Sequence, residues 1–164
     1  MYILITVGTT KFQNLLHIVF SKEFIHSLKK VDCHKLVIQT GDVDSEALKL
    51  DVIPKEIDYT SFRYKNNLIK EIEECDLIIC HGGAGTILEA LEKGKKVIAV
   101  ANPELQDNHQ SEFLEALSQQ SYIFESKLES LSSDLENLKD FQFAPSPEPD
   151  WSKFVDIVTQ EINK

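Results

Sequence analysis

Between the apolar run Asp76-Leu77-Ile78-Ile79-Cys80 and the helically spaced Ile87, Leu88 and Leu91, the chain inserts His81-Gly82-Gly83-Ala84-Gly85-Thr86. Three of its six glycines fall within four positions of that turn. A short, nearly continuous apolar run suits a strand buried on both faces, which is the habit of parallel sheets. A glycine-rich turn leading straight into a helix lets the backbone come close to an anion, while the helix dipole favours negative charge there. A tight strand-to-helix connection with close packing is the plainer explanation, but such crowding is rarely needed merely to turn.

The same alternation recurs along the chain. Tyr2-Ile3-Leu4-Ile5-Thr6-Val7 is an apolar run closed by Gly8. Phe12, Leu15, Leu16, Val19, Phe20, Phe24 and Leu28 then mark one face of a helix reaching Lys29-Lys30. Lys35 to Gln39 reads as a second strand with Gly41-Asp42 as its turn. Residues 44–58 are polar, contain Pro54 and read mostly as loop, ahead of a short strand near Ile57 to Phe62. From Lys65, the residues Leu68, Ile69, Ile72 and Cys75 share a helical face. After the glycine turn, the helix ends at Gly94 and Val97 to Val100 form a strand. A helix on Phe113, Leu114 and Leu117, a strand at Tyr122-Ile123-Phe124 and a helix on Leu128, Leu131, Leu135 and Leu138 follow. Repeated strand-helix units imply an α/β fold, an open parallel sheet with flanking helices.

We read residues 1–143 as one domain, because 164 residues with 42% hydrophobic content bury one core and not two. Residues 144–150 hold three of the five prolines and read as a stiff linker. Beyond it Trp151, Phe154, Val155, Val158 and Ile162 form the apolar stripe of a terminal helix over 151–164, which must pack against its own domain or a partner. A formal net charge of -10 argues against nucleic acid as a partner, so any phosphate must be held by local geometry. Cys33, Cys75 and Cys80 lack metal-ligand spacing and read as buried thiols of a reducing compartment. No stretch approaches the roughly 20 apolar residues of a membrane helix, and the opening residues read as a strand, not a leader.

In open parallel sheets, ligands sit beyond the carboxyl ends of the strands. Two turns qualify: Gly8-Thr9-Thr10, and His81 to Thr86. Neither carries the G-x-G-x-x-G pattern of dinucleotide enzymes, and no P-loop is present. Glu89 follows Thr86 by three residues, placing a carboxylate where it would accept ribose hydroxyls, although a solvated helix glutamate is the commoner case. Asp107-Asn108-His109-Gln110 puts four hydrogen-bonding side chains at a helix start, and capping accounts for only one of them. No Ser-His-Asp order, paired carboxylates or metal-ligand set stands out, and neither cofactor nor metal is expected.

The stretch His81 to Leu117, HGGAGTILEALEKGKKVIAVANPELQDNHQSEFLEAL, resembles the donor-binding half of GT-B glycosyltransferases related to the bacterial peptidoglycan N-acetylglucosaminyltransferase. It is more closely similar to the family of eukaryotic cytosolic catalytic subunits of the dolichol-pathway UDP-N-acetylglucosamine transferase. Ile5-Thr6-Val7-Gly8-Thr9-Thr10, Phe62-Arg63-Tyr64-Lys65 and Asp107 to Gln110 match in the same order, and the likeness spans about Tyr2 to Tyr122.

The resemblance implies a Rossmann-like domain, the C-terminal half of a GT-B fold, that binds UDP-N-acetylglucosamine without a cofactor. A membrane-anchored subunit would supply the other half of the cleft and the lipid-linked acceptor, drawing a cytoplasmic protein to the cytosolic face of the endoplasmic reticulum. By the same resemblance Gly8, Thr9, Thr10, Gly82, Gly83, Ala84, Gly85 and Thr86 would face the diphosphate and Glu89 the ribose; His81 and His109, from their place at strand ends, could orient a phosphate or hydroxyl, although capping or packing is the commoner fate. Tyr64 would lie by the uracil, and Asn108, His109 and Gln110 by the donor sugar or phosphate. Trp151, Phe154, Val155 and Val158 would meet the partner. The reaction implied is transfer of N-acetylglucosamine to N-acetylglucosaminyl-diphosphodolichol with inversion, its general base left unassigned. A split glycosyltransferase of bacterial exopolysaccharide synthesis and a non-catalytic UDP-sugar-binding module are the alternatives.

Overall fold

The computed structural model describes residues 1–9, 11–43, 52–102 and 108–146, with 108–110 described by backbone alone. Six strands, β1 (Tyr2–Thr6), β2 (Lys35–Gln39), β3 (Asp58–Phe62), β4 (Leu77–His81), β5 (Lys96–Val100) and β6 (Phe124–Ser126), form one sheet. Their order is β3-β2-β1-β4-β5-β6 and every pairing is parallel.

Period-two alternation explains why the inner strands had to be continuously apolar. Ile3 and Ile5 of β1, Leu77 and Ile79 of β4, and Ile98 and Val100 of β5 point to one face. There they pack on α1 (Gln13–Val19), α2 (Lys22–Lys30) and α6 (Leu131–Asn137). Tyr2 and Leu4, Ile78 and Cys80, and Val97 and Ala99 point to the other face, against α3 (Ile69–Glu74), α4 (Ala84–Glu92) and α5 (Asn108–Gln119). The strand near 57–62 and the open parallel sheet expected from the sequence are both present.

Several boundaries differ, each for a local reason. The single helix expected over Phe12 to Lys30 is two helices, because Ser21 takes an extended conformation and its hydroxyl accepts the Phe24 N–H at 3.1 Å, starting a new helix. Helix α3 begins only at Ile69, whose N–H is taken by the Asn67 side chain at 2.6 Å. Strand β6 starts two residues late, since the Tyr122 N–H closes the end of α5 on the Leu117 carbonyl at 3.1 Å and Ser121 adopts φ 58°. Leu138–Asp140 continues α6 as a 3-10 turn.

Helix α6 is fixed across α2, where Glu136 accepts from Ser27 and Lys30, each at 2.8 Å. The chain then folds back over β6. The Phe141 ring meets Phe124 edge to face at 5.0 Å, and the Ala144 N–H donates to the Ser121 carbonyl at 2.9 Å. The expected terminal helix, with Trp151, Phe154, Val155 and Val158, lies outside the described residues.

Candidate functional site

Strand β1 pairs with β2 on one side and β4 on the other, so the chain direction of travel across the sheet reverses between β1 and β4. The connections leaving their carboxyl ends diverge to opposite faces and open a crevice between them. The two turns singled out in the sequence both sit there. Gly8 turns at φ 61° and donates its N–H to the Thr6 hydroxyl at 3.1 Å. That hydroxyl donates in turn to the Gln39 side-chain oxygen, and both residues are buried. Asn102, buried beyond β5, donates to the Lys11 carbonyl at 3.2 Å, tying the loop after β1 to the far side of β4.

At the end of β4 the Gly83 N–H folds back on the His81 carbonyl at 2.7 Å, and α4 starts at the next residue. Its first intrahelical bond is from Ile87 to Gly83, at 3.3 Å. The amides of Ala84, Gly85 and Thr86 precede that bond, and among the described residues no side chain caps them. Ala84 and Gly85 are exposed. Uncapped amides and the positive end of the helix dipole together make this turn able to receive an anion. Glu89 stands one turn further along α4 and is exposed, free to accept hydroxyl groups beside that anion.

The glycines of this region are explained differently from the sequence expectation. A Cβ on Gly8 would lie 2.3 Å from His81 Cε1, and one on Gly83 would lie 2.4 Å from His81 Nε2. Those two glycines make room for an imidazole of this chain. Gly85 has nothing among the described residues within 4 Å of its Cβ position and is the one of the three with open space beside it. His81 itself is 6% exposed, and its Nδ1 is buried without a hydrogen-bond partner among the described residues. Burial lowers its pKa, the Thr6 backbone opposing the shift in part, so the ring is neutral at physiological pH.

The remaining expected residues divide. Thr9 is exposed at the mouth of the crevice and Gly82 is buried in the β4 turn. Asn108, His109 and Gln110 open α5, which follows β5 and starts at the same end of the sheet. Their side chains, and Thr10, lie outside the described residues. Tyr64 is 44% exposed beyond β3, three strand positions from β4, a lateral separation of about 14 Å. Its loop is fixed there by Arg63, which pairs with Asp42 at 2.6 Å, and by Lys65, which pairs with Glu71 and sits 4.6 Å over the Phe62 ring. Within this chain Tyr64 does not join the crevice. A concavity of about 560 Å³, bordered by Met1, Asp32, Asp76 and Lys96, lies at the amino ends of the strands, away from these turns.

Thr6, Gln39 and Asn102 were not anticipated. Their signal in the sequence is a polar side chain at the carboxyl end of an apolar run, where burial demands a partner.

A six-stranded parallel sheet of this order, with an anion-ready turn at its reversal point, is the architecture of the C-terminal half of GT-B glycosyltransferases. Residues 2–160 match the glycosyltransferase family 28 C-terminal domain, and the chain belongs to that family. Relatives include the UDP-N-acetylglucosamine transferase subunit ALG13 of Homo sapiens, 34% identical over 127 residues, covering 74% of this chain and 11% of that protein. The subunit of the same name from Candida albicans is 28% identical, over 98% of this chain and 66% of its own length. The chain thus spans about a tenth of the human relative. Among solved structures, an NMR structure of ALG13 superposes with TM-score 0.73 at 20% identity, over 99% of this chain and 97% of that one. The MurG of Acinetobacter baumannii superposes with TM-score 0.65 at 23% identity, over 85% of this chain and 40% of its own.

Proposed function

We propose that this chain is the donor-binding subunit of a two-part glycosyltransferase that moves N-acetylglucosamine from UDP-N-acetylglucosamine to N-acetylglucosaminyl-diphosphodolichol. The observation that carries the reading is the uncapped amino end of α4, Ala84 to Thr86, facing the crevice between β1 and β4, with exposed Glu89 one turn beyond. The diphosphate would lie against those amides, and Glu89 would accept the ribose hydroxyls. Asn108 to Gln110 open the neighbouring helix and would reach the donor sugar.

The crevice has one wall in this chain. A membrane-anchored partner would bring the other wall, the lipid acceptor and the base that takes the proton from the acceptor hydroxyl. No helix among the described residues is long and apolar enough to cross a membrane, which suits recruitment to the cytosolic face of the endoplasmic reticulum by that partner. The stripe Trp151, Phe154, Val155 and Val158 would be the docking surface, and Tyr64, remote from the crevice here, would contact uracil only if the assembled enzyme brings the two together. Names of relatives support the choice of sugar.

The test is transfer of radiolabelled N-acetylglucosamine to an N-acetylglucosaminyl-diphospholipid by this chain alone, with its membrane partner, and with Glu89→Ala. Transfer only by the mixture, abolished by Glu89→Ala without loss of thermal stability, is expected. Binding of UDP-N-acetylglucosamine with no transfer in any mixture would leave a non-catalytic module instead.

A further inference from the structure

His81 closes β4, paired in register with Val100 of β5, so the ladder fixes its Cα. Its ring projects into the seam between the two turns that face the crevice. The same bond of the ring, Cε1 to Nε2, abuts both of them: a Cβ on Gly8 would lie 2.3 and 2.8 Å from those two atoms, and a Cβ on Gly83 would lie 2.8 and 2.4 Å from them. Nδ1 is buried and has no hydrogen-bond partner among the described residues. The imidazole is therefore seated against the backbone of both turns, with no glycine side-chain atom between ring and backbone.

We propose that His81 is a positioning residue: its ring is the spacer that sets the distance between the Gly8 turn and the amino end of α4. Its size thereby tunes the site for the diphosphate part of a nucleotide that the ring itself does not bind. The inference rests on the nucleotide-sugar reading above. Amides from two turns converge on one anion only at the right separation, because hydrogen bonds weaken steeply once distance and angle depart from their optimum. Removing the ring leaves a void next to two glycines, the residues least able to resist a shift of the backbone. A direct ligand of phosphate would be open to the crevice, whereas the two turns close round this ring. His81 is only 6% exposed.

The experiment compares UDP and uridine as probes, by calorimetry and chemical-shift titration, on the chain and on His81→Ala and His81→Ala/Gly83→Ala. His81→Ala is expected to bind UDP about tenfold or more weakly, a loss on the scale of one weakened hydrogen-bond set. Uridine affinity should be unchanged, and the added methyl at position 83 should restore part of the UDP affinity by refilling the seam. Equal losses for UDP and uridine, or UDP affinity kept within about twofold, overturn the proposal. If the unaltered chain binds neither probe, the nucleotide reading falls, and the spacer is judged by thermal unfolding. Gly83→Ala must then destabilise the native chain and be harmless when His81 is already alanine; additive effects overturn it.

Discussion

The hydroxyl of Thr6 donates to the side-chain oxygen of Gln39, joining adjacent residues of β1 and β2 at the floor of the crevice. The same hydroxyl accepts from Gly8, so one oxygen fixes both a strand pair and the turn above it. Thr6→Val keeps the shape but strands a buried carboxamide oxygen and a backbone N–H. We expect a loss of about 1–3 kcal/mol, seen as a lower urea midpoint at unchanged slope.

Gly85→Ala separates stability from binding. Position 85 is helical and unobstructed, so alanine should stabilise α4 by about 0.5–1 kcal/mol. The same methyl stands beside the open amides and should weaken UDP by about tenfold. A rise in Tm with a fall in UDP affinity is the expected pair, and a rise in both would remove Gly85 from the donor site.

Burial pushes the thiol of Cys33 up to about 11, that of Cys75 to about 11 and that of Cys80 to about 12. At pH 8 a thiol of pKa 11 is ionised to about one part in a thousand, and all three are buried. Ellman's reagent should leave the folded chain unlabelled over minutes and should count three thiols per chain in denaturant.

Stability should fall on mild acidification. His81 has a pKa depressed in the folded chain, so below the ordinary histidine value of 6.5 the unfolded state takes up more protons than the native one. Tm should decline as pH drops from 6.5 toward the depressed value, and His81→Gln should flatten that segment of the profile. Glu71 and Glu136, held below the usual 4.5 by Lys65 and Lys30, act in the same direction but only below that pH, so the two windows separate.

Strand identities, the parallel sheet and the crevice turns were legible because each inner strand is apolar on both faces and each glycine turn interrupts an unmistakable period. The break at Ser21 was not, since Phe12 to Leu28 keeps helical spacing through it and a cap bond decides the matter. The contact of Gly8 and Gly83 with His81 escaped notice for another reason. They are 75 positions apart in sequence, and only the pairing of β1 with β4 brings both against one histidine. Thr6 and Gln39 escaped notice because a polar residue inside an apolar run declares its partner only once register is known.

The amide that Ala144 lends to Ser121 moors the chain, after α6, at the end of the sheet where the strands begin. That mooring point lies at the rear of the molecule, with the ligand crevice at the front. A load applied at that mooring point reaches the crevice only along the length of the strands, about 17 Å for five residues, so strain on the one need not disturb the other.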